Sequence, residues 1–374
     1  MTALTQAEAH QTADWIASVQ MADGMVPWYP GAHADPWNHV EAAMALAAGG
    51  RWAEAQRAFE WLMAKQLPDG SWCAAYVPGG VIEPRRDPNT CAYVATGAWW
   101  CAELAASTSL LEAVWPMVKR AVQWCLHYQR PGGEVVWSVD PDGVAANFAL
   151  VAASSSLQQS FACAARIAAA LSHEHEADSW SRAAAGVASA VATRPQVFTP
   201  KQRWAMDWYY PVLSGVLAGE VARQRMQSRW EEMLVPGLGT RCVADKFWVT
   251  AAESAECAMA AARAGMAGEA GELLDWTRHF RAGDGGYWTG CVHPGCVRFP
   301  AGQKSTYSAA AVVIADHVLY ERSAAAAIFS VRGPKGDWAP GGLSTGEMPS
   351  CERLWPLKGG GHDRSQICGT VPED

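Results

Sequence analysis

Gln20-Met-Ala-Asp-Gly24-Met-Val-Pro-Trp28 is a turn that the chain uses repeatedly. It returns as Gln66-Leu-Pro-Asp-Gly70-Ser-Trp72, as Gln129-Arg-Pro-Gly-Gly133-Glu-Val-Val-Trp137, and more loosely as Ala282-Gly-Asp-Gly-Gly-Tyr-Trp288. Each copy starts where a helical pattern stops, turns through Asp-Gly or Gly-Gly, whose glycine supplies the positive φ a tight turn needs, and delivers a tryptophan. A repeated unit of helix pair plus Gly-Trp turn implies stacked helical hairpins.

The stretches between the turns carry helical period. Trp52, Ala55, Phe59, Leu62 and Met63 lie on one stripe, as do Val114, Val118, Val122 and Leu126. Further Ala-rich helices are expected at about 5–21, 36–48, 90–106, 153–171, 176–192, 209–218, 220–233, 250–264, 267–279 and 304–321. No convincing run of strands is found. About a dozen helices in pairs close into an inner and an outer ring, which removes the exposed ends that an open solenoid must cap. The sequence therefore predicts an all-α fold, an (α/α)6 toroid of helical hairpins in one domain over residues 1–330, with an open solenoid as the alternative. From 331 to 374 the chain is rich in Gly, Pro and Ser without helical period, and reads as a flexible tail.

Composition narrows the function. The formal charge of −8, with no basic stripe, argues against nucleic acid or an anionic membrane as the main partner and suits a neutral or cationic molecule or polymer. Apolar runs are broken before they reach the length of a membrane span, and the first residues do not form a secretory signal, so a cytoplasmic location is expected. The odd count of 11 cysteines, most of them in Ala-rich helical stretches, fits reduced core thiols rather than a disulfide framework. The chain also has 20 Trp against 8 Phe and 9 Tyr, a reversal of the usual order that asks for a cause.

Four segments combine acids and aromatics more densely than a connector requires. In Trp28-Tyr-Pro-Gly-Ala-His33-Ala-Asp35-Pro-Trp37-Asn-His39-Val-Glu41, Asp35 and Pro36 also fit a helix cap and first position, but capping does not explain the crowding of His33, Trp37, His39 and Glu41. Asp207-Trp208-Tyr209-Tyr210 sets aromatics side by side that cannot all face one core. Arg241-Cys-Val-Ala-Asp245-Lys-Phe-Trp248 leads to Glu253 and Glu256, three apart on one helical face, where first-turn glutamates also suit the helix dipole. The fourth is Asp284-Gly-Gly-Tyr287-Trp288. Asp87 and Asn89 complete the candidate set.

Carboxylates beside stacked aromatics are the ingredients of a sugar site. Rings offer flat apolar faces, carboxylates accept hydroxyl hydrogen bonds, and two opposed carboxyls can break a glycosidic bond. No phosphate-binding loop, dinucleotide fingerprint or Gly-x-Ser-x-Gly elbow appears, and no cofactor is expected. Cys291-Val-His293-Pro-Gly-Cys296 offers three zinc ligands without an evident fourth, so no metal is expected, and His173-Glu-His175 reads as a solvated helix start.

The Gln-x-x-Asp-Gly-x-Trp turns resemble those of terpenoid cyclases and protein prenyltransferases, and six-hairpin glycosidases use the same ring. More specifically, DPWNHVEAAMAL, AMDWYYPVLSG, RCVADKFWVTAAESAE and DGGYWTG resemble an actinobacterial prenyltransferase-like toroid family that includes methylmannose polysaccharide α-endomannosidases. The resemblance covers about residues 5–330. It implies a second acidic residue where Asn38 stands, an Asp at Ala244 and a Gly at Ala252, departures that bear on substrate more than on fold. The expected function is a glycoside hydrolase acting on an α-mannosidic oligo- or polysaccharide, with Glu253 as acid and Asp35 as base, inverting in stereochemistry. Its rivals are isoprenoid chemistry, which lacks an Asp-x-Asp-Asp acid motif here, and a sugar-binding ring without catalysis. Trp72 and Trp137 are expected in turn packing, and Trp37, Trp208, Trp248 and Trp288 in the cleft.

Overall fold

A computed structural model describes residues 4–330, so the tail from 331 lies outside the described residues. Its helices alternate in role. Pro36–Ala48 (α2), Pro88–Ala105 (α4), Val151–Ala170 (α6), Ala205–Leu213 (α8), Ala251–Arg263 (α11) and Thr306–Leu319 (α13) pack each on the next, and α13 returns to α2. This is a closed inner ring. Gln6–Val19 (α1), Trp52–Lys65 (α3), Ser109–His127 (α5), Glu174–Thr193 (α7), Gly219–Gln227 (α9) and Ala267–Trp276 (α12) lie outside it, each against one or two inner helices. A short α10, Trp230–Met233, follows α9.

The two rings differ in sequence because they differ in surroundings. Outer helices bury one stripe, as α3 does with Ala55, Ala58, Phe59, Trp61 and Leu62. Inner helices are enclosed on nearly all sides, and α2 buries every residue from His39 to Ala47. Alanine lets such helices approach closely. At Gly97 in α4 even a Cβ would meet Val40 Cγ1 of α2 at 2.3 Å.

The repeated turn clamps one hairpin to the next. Gln20 Nε2 donates to its own turn at Gly24 O (3.0 Å) and to Glu54 O of α3 (2.9 Å). Gln66 Nε2 does the same with Gly70 O and Met117 O of α5, both at 2.9 Å, and Gln129 Nε2 with Gly133 O and Ala183 O of α7. The glycine sits where its missing side chain is needed. A Cβ on Gly70 would lie 2.5 Å from Arg120 O, and one on Gly24 2.2 Å from Arg57 O. The fourth copy closes the ring, for a Cβ on Gly285 would meet Gln11 O of α1 at 2.6 Å, and Gln11 Nε2 donates to Gly283 O at 2.9 Å.

The structure departs from the sequence expectation in its strands. Leu234–Val235 (β3), Gly239–Arg241 (β4), Trp248–Thr250 (β5), Gly290–Val292 (β6) and Val297–Arg298 (β7) form an antiparallel sheet, and Ala75–Val77 (β1) pairs with Gly80–Glu83 (β2). Strands this short show no alternation that a pattern reading can detect. The helix expected at 209–218 runs 205–213 instead, and that at 220–233 divides into α9 and α10.

Gly70→Ala should lower stability by about 2 kcal/mol or more, because it combines positive φ with a backbone clash. Gly50, at φ +77 with open space around it, should tolerate alanine better. Equal drops in thermal midpoint for the two variants would remove the close approach as the cause.

Candidate active site

The first turns of α2, α4, α8, α11 and α13, with the loops before them, meet at one end of the ring. There they line a cleft of about 340 Å³ with Trp28, His33, Asp35, Trp37, Asn38, Glu41, Ala74, Arg85, Asp87, Thr90, Met206, Ala252, Glu253, Glu256 and Tyr307. Carboxyls gather where helix N-termini offer positive potential.

Asp35 caps α2. Its Oδ1 accepts from Asn38 N at 3.0 Å, and its Oδ2 accepts from Asn38 Nδ2 at 2.6 Å and from Trp28 Nε1. Cap and cleft residue are therefore one and the same. Asp87 caps α4 by accepting from Asn89 N at 2.9 Å, and burial pushes it up to about 6 against the opposing pull of Arg85, whose Nη1 lies 3.9 Å away. Glu253 stands in the first turn of α11 and accepts from Thr250 Oγ1.

Glu41 and Glu256 lie deeper, both buried at the floor of the cleft. Glu41 Oε1 accepts from Trp37 Nε1 (2.9 Å) and Tyr93 OH (3.2 Å), and Trp37 stacks on Tyr93 with centroids 4.6 Å apart. Glu256 accepts from Tyr209 OH and from Tyr210 OH (3.3 Å). Burial raises Glu41 to about 7, with hydrogen bonds from Trp37 and Tyr93 pulling the other way and Asp35 and Glu253 adding to the rise. Burial, then the charge of Glu41, holds Glu256 well above the carboxylate range. At the rim Trp28 meets His33 at 4.5 Å and the edge of Tyr307 at 5.0 Å.

Several sequence candidates stand elsewhere. His39 is fully buried, accepting from Val26 N through Nδ1 (3.1 Å) and facing Ala58 O through Nε2 (2.9 Å), and burial lowers it to about 4. Its place in the same crowded turn made it a candidate, but two residues on from Trp37 it faces another side of α2 and turns into the core against Trp61. Trp208 is buried and donates to Arg225 O at 2.7 Å, on the α9 side. Asn89 and Asp207 are buried outside the cleft lining, and Tyr287 is a core residue. Tyr209 and Tyr210 both hydrogen-bond Glu256, and Tyr210 also meets Trp37 edge-on at 5.7 Å.

The sheet explains the rest. Arg241 lies in β4 and Trp248 in β5, where Trp248 Nε1 donates to Phe299 O at 3.1 Å, and the connecting Asp245 forms an exposed pair with Arg203 at 2.8 Å. The ring of Trp288 is covered by Arg298 at 3.9 Å. Of the tryptophans expected in the site, Trp28 and Trp37 line the cleft, and Trp208, Trp248 and Trp288 do not. Trp72 packs in its turn, buried and donating to Leu62 O at 2.9 Å, whereas Trp137 carries Arg85 over its ring at 4.6 Å. Arg85, Thr90 and Tyr307 were missed. Their signal is position, since each stands just before or within the first turns of an inner helix, a rule that needs the inner helices to be told from the outer.

No profile of a known family matches the chain. Over 326 residues, 87% of this chain and 90% of its relative, it is 39% identical to the MMP endo-(1,4)-3-O-methyl-α-D-mannosidase of Mycolicibacterium hassiacum. The chain belongs to that mannosidase family. As a member it is a glycoside hydrolase, which sets aside the isoprenoid and non-catalytic alternatives. Solved structures share the fold. A wild-type glycosidase matches 84% of this chain and 98% of its own at TM-score 0.66 and 16% identity, and an α-amylase from Clostridium perfringens matches the same shares at TM-score 0.62 and 9% identity. Among the described residues no helix is long and apolar enough to cross a membrane.

Buried Glu41 supplies a test of the site's electrostatics. The folded chain holds its proton up to about pH 7, whereas the unfolded chain releases it near the ordinary 4.5, so stability falls as pH rises between the two and stays reduced above. Glu41→Gln removes the ionisation. Its thermal midpoint relative to wild type should be higher at pH 8 than at pH 5, by up to about 3 kcal/mol in stability. A gain independent of pH would show that burial does not destabilise the carboxylate.

Proposed function

We propose that this cleft hydrolyses α-1,4-linked mannose chains within the chain, with 3-O-methylmannose units as its natural substrate. The carrying observation is the pairing of an aligned carboxylate, Asp35, with a second carboxylate, Glu253, across one aromatic-rimmed cleft in a chain of this family. Asp35 acts as the base that directs water onto the anomeric carbon. Glu253 acts as the acid, giving its proton to the glycosidic oxygen as the bond breaks.

Inversion is the favoured outcome. Asp35 belongs to α2 and Glu253 to α11, with α13 and its Tyr307 between those helices in ring order, and inversion requires two such carboxyls to stand far enough apart to admit a water. Trp28, Trp37 and His33 provide the faces on which sugar rings stack, and Asp87 with Arg85 provides hydroxyl contacts. We also propose that residues 1–330 act as one domain, an inference supported by the docking of the 282–288 turn on α1.

The experiment is digestion of 1,4-α-mannan oligosaccharides, methylated and unmethylated, with products read by mass and by proton NMR. The newly freed reducing ends should appear first as the β anomer. An α anomer at first appearance would overturn inversion, and absence of cleavage in all oligosaccharides would overturn the substrate. Asp35→Asn and Glu253→Gln should each reduce kcat by about 10²–10⁴-fold while oligosaccharide binding by calorimetry persists. Retained turnover in either variant would remove that residue from the chemistry.

A further inference from the structure

Glu41 presents its two oxygens to different surroundings. Oε1 is engaged as an acceptor by both Trp37 Nε1 and Tyr93 OH. Oε2 has no partner among the described residues, and the side chain borders the cleft. Two donors on Oε1 leave Oε2 as the place for a proton, so the neutral acid would point its O–H into the cleft.

That geometry matters for an ether. A sugar hydroxyl can donate or accept, but the oxygen of an O-methyl group carries no hydrogen and can only accept. A carboxylate facing it would oppose lone pair to negative charge. A carboxylic acid would bond to it. Met206 and Ala252 line the same cleft with apolar atoms against which an ether methyl can lie.

We propose that Glu41 is a specificity residue that reads methylation, its Oε2 donating a hydrogen bond to the ether oxygen of a 3-O-methylmannose unit. This rests on the reading of the cleft as a site for methylated mannosides. The surroundings agree, since burial keeps Glu41 protonated up to about pH 7. The groups facing it are Asp35 at the start of its own helix, Glu253 and Glu256 from α11, Tyr93 from α4, and Tyr210 from α8. The acids among them all disfavour a charge on Glu41. Arg85 beside Asp87 at the rim is the nearby cation.

The test is a competition between matched 1,4-α-mannosides, one 3-O-methylated and one not, in a single tube from pH 5.5 to 9. The ratio of their kcat/KM values cancels any ionisation that affects both substrates alike. In the wild type the methylated-to-unmethylated ratio should fall about tenfold as pH rises through about 7, because the ionised acid still accepts from a hydroxyl but not from an ether. In Glu41→Gln, whose amide oxygen can take the place of Oε1 and whose NH₂ still donates, the ratio should not vary with pH. Tyr93→Phe removes a donor that favours the ionised form, so it should move the midpoint of the fall upward. Thermal denaturation of each variant confirms folding.

A wild-type ratio that is constant with pH while both substrates are cut overturns the inference and leaves the hydrolase reading standing. The same is true of a ratio that falls equally in wild type and Glu41→Gln. If the wild type cuts neither substrate, the substrate reading falls and the role of Glu41 falls with it.

Discussion

The hydrogen-bonded seat of each Gly turn on the neighbouring outer helix is the contact on which the rest depends. One glutamine amide serves two carbonyls, one in its own turn and one on the next hairpin, so the turn cannot form correctly without its neighbour. The glycine then allows backbone to meet backbone where any side chain would intrude. Repeated from hairpin to hairpin and completed by the 282–288 turn on α1, this contact converts a row of hairpins into a ring. Only because the ring closes do the inner helices aim their first turns at a common cleft.

That convergence has an electrostatic consequence. Asp35 and Asp87 cap inner helices and Glu253 stands in a first turn, where helix N-termini favour negative charge, although burial still raises Asp87 to about 6. Glu41 and Glu256 sit one or two turns further in, where loss of water outweighs the hydrogen bonds from Trp37, Tyr93, Tyr209 and Tyr210. Burial thus raises both inner carboxyls, Glu41 and Glu256, whose hydrogen bonds come from aromatic side chains rather than from a helix terminus. Stability lost at the floor fits a working cleft, and function accounts for buried carboxyls that no core would choose.

The aromatic excess has a divided origin. Trp28 and Trp37 serve the cleft, and Trp37 does so by stacking on Tyr93 and holding Glu41 rather than by standing free. Trp72 donates to Leu62 O near the end of α3 and Trp208 to Arg225 O of α9, where a large ring with one donor fills space and satisfies a backbone group at once. Trp248 and Trp288 belong to the small sheet and its edge. Proximity to acids in sequence did not separate these uses, because a strand such as β5 sends consecutive side chains to opposite faces.

The sequence by itself determined the helices, the repeated turn, the ring they imply, and the cap residue Asp35 with the first-turn Glu253, because all of these follow from local period and local hydrogen bonding. It also carried the family, through segments on α2 and α8, the β4–β5 connection into α11, and the 284–290 turn. The tertiary structure alone decided which helices are inner, and with that the place of Arg85, Thr90 and Tyr307 in the cleft. It turned His39, two residues from Trp37, into the core, and it made Glu41 and Glu256 a buried pair from helices far apart in the chain. Short strands and side-chain direction escaped the sequence for one reason: both are set by what packs opposite, and in a ring the opposite wall comes from residues hundreds of positions away.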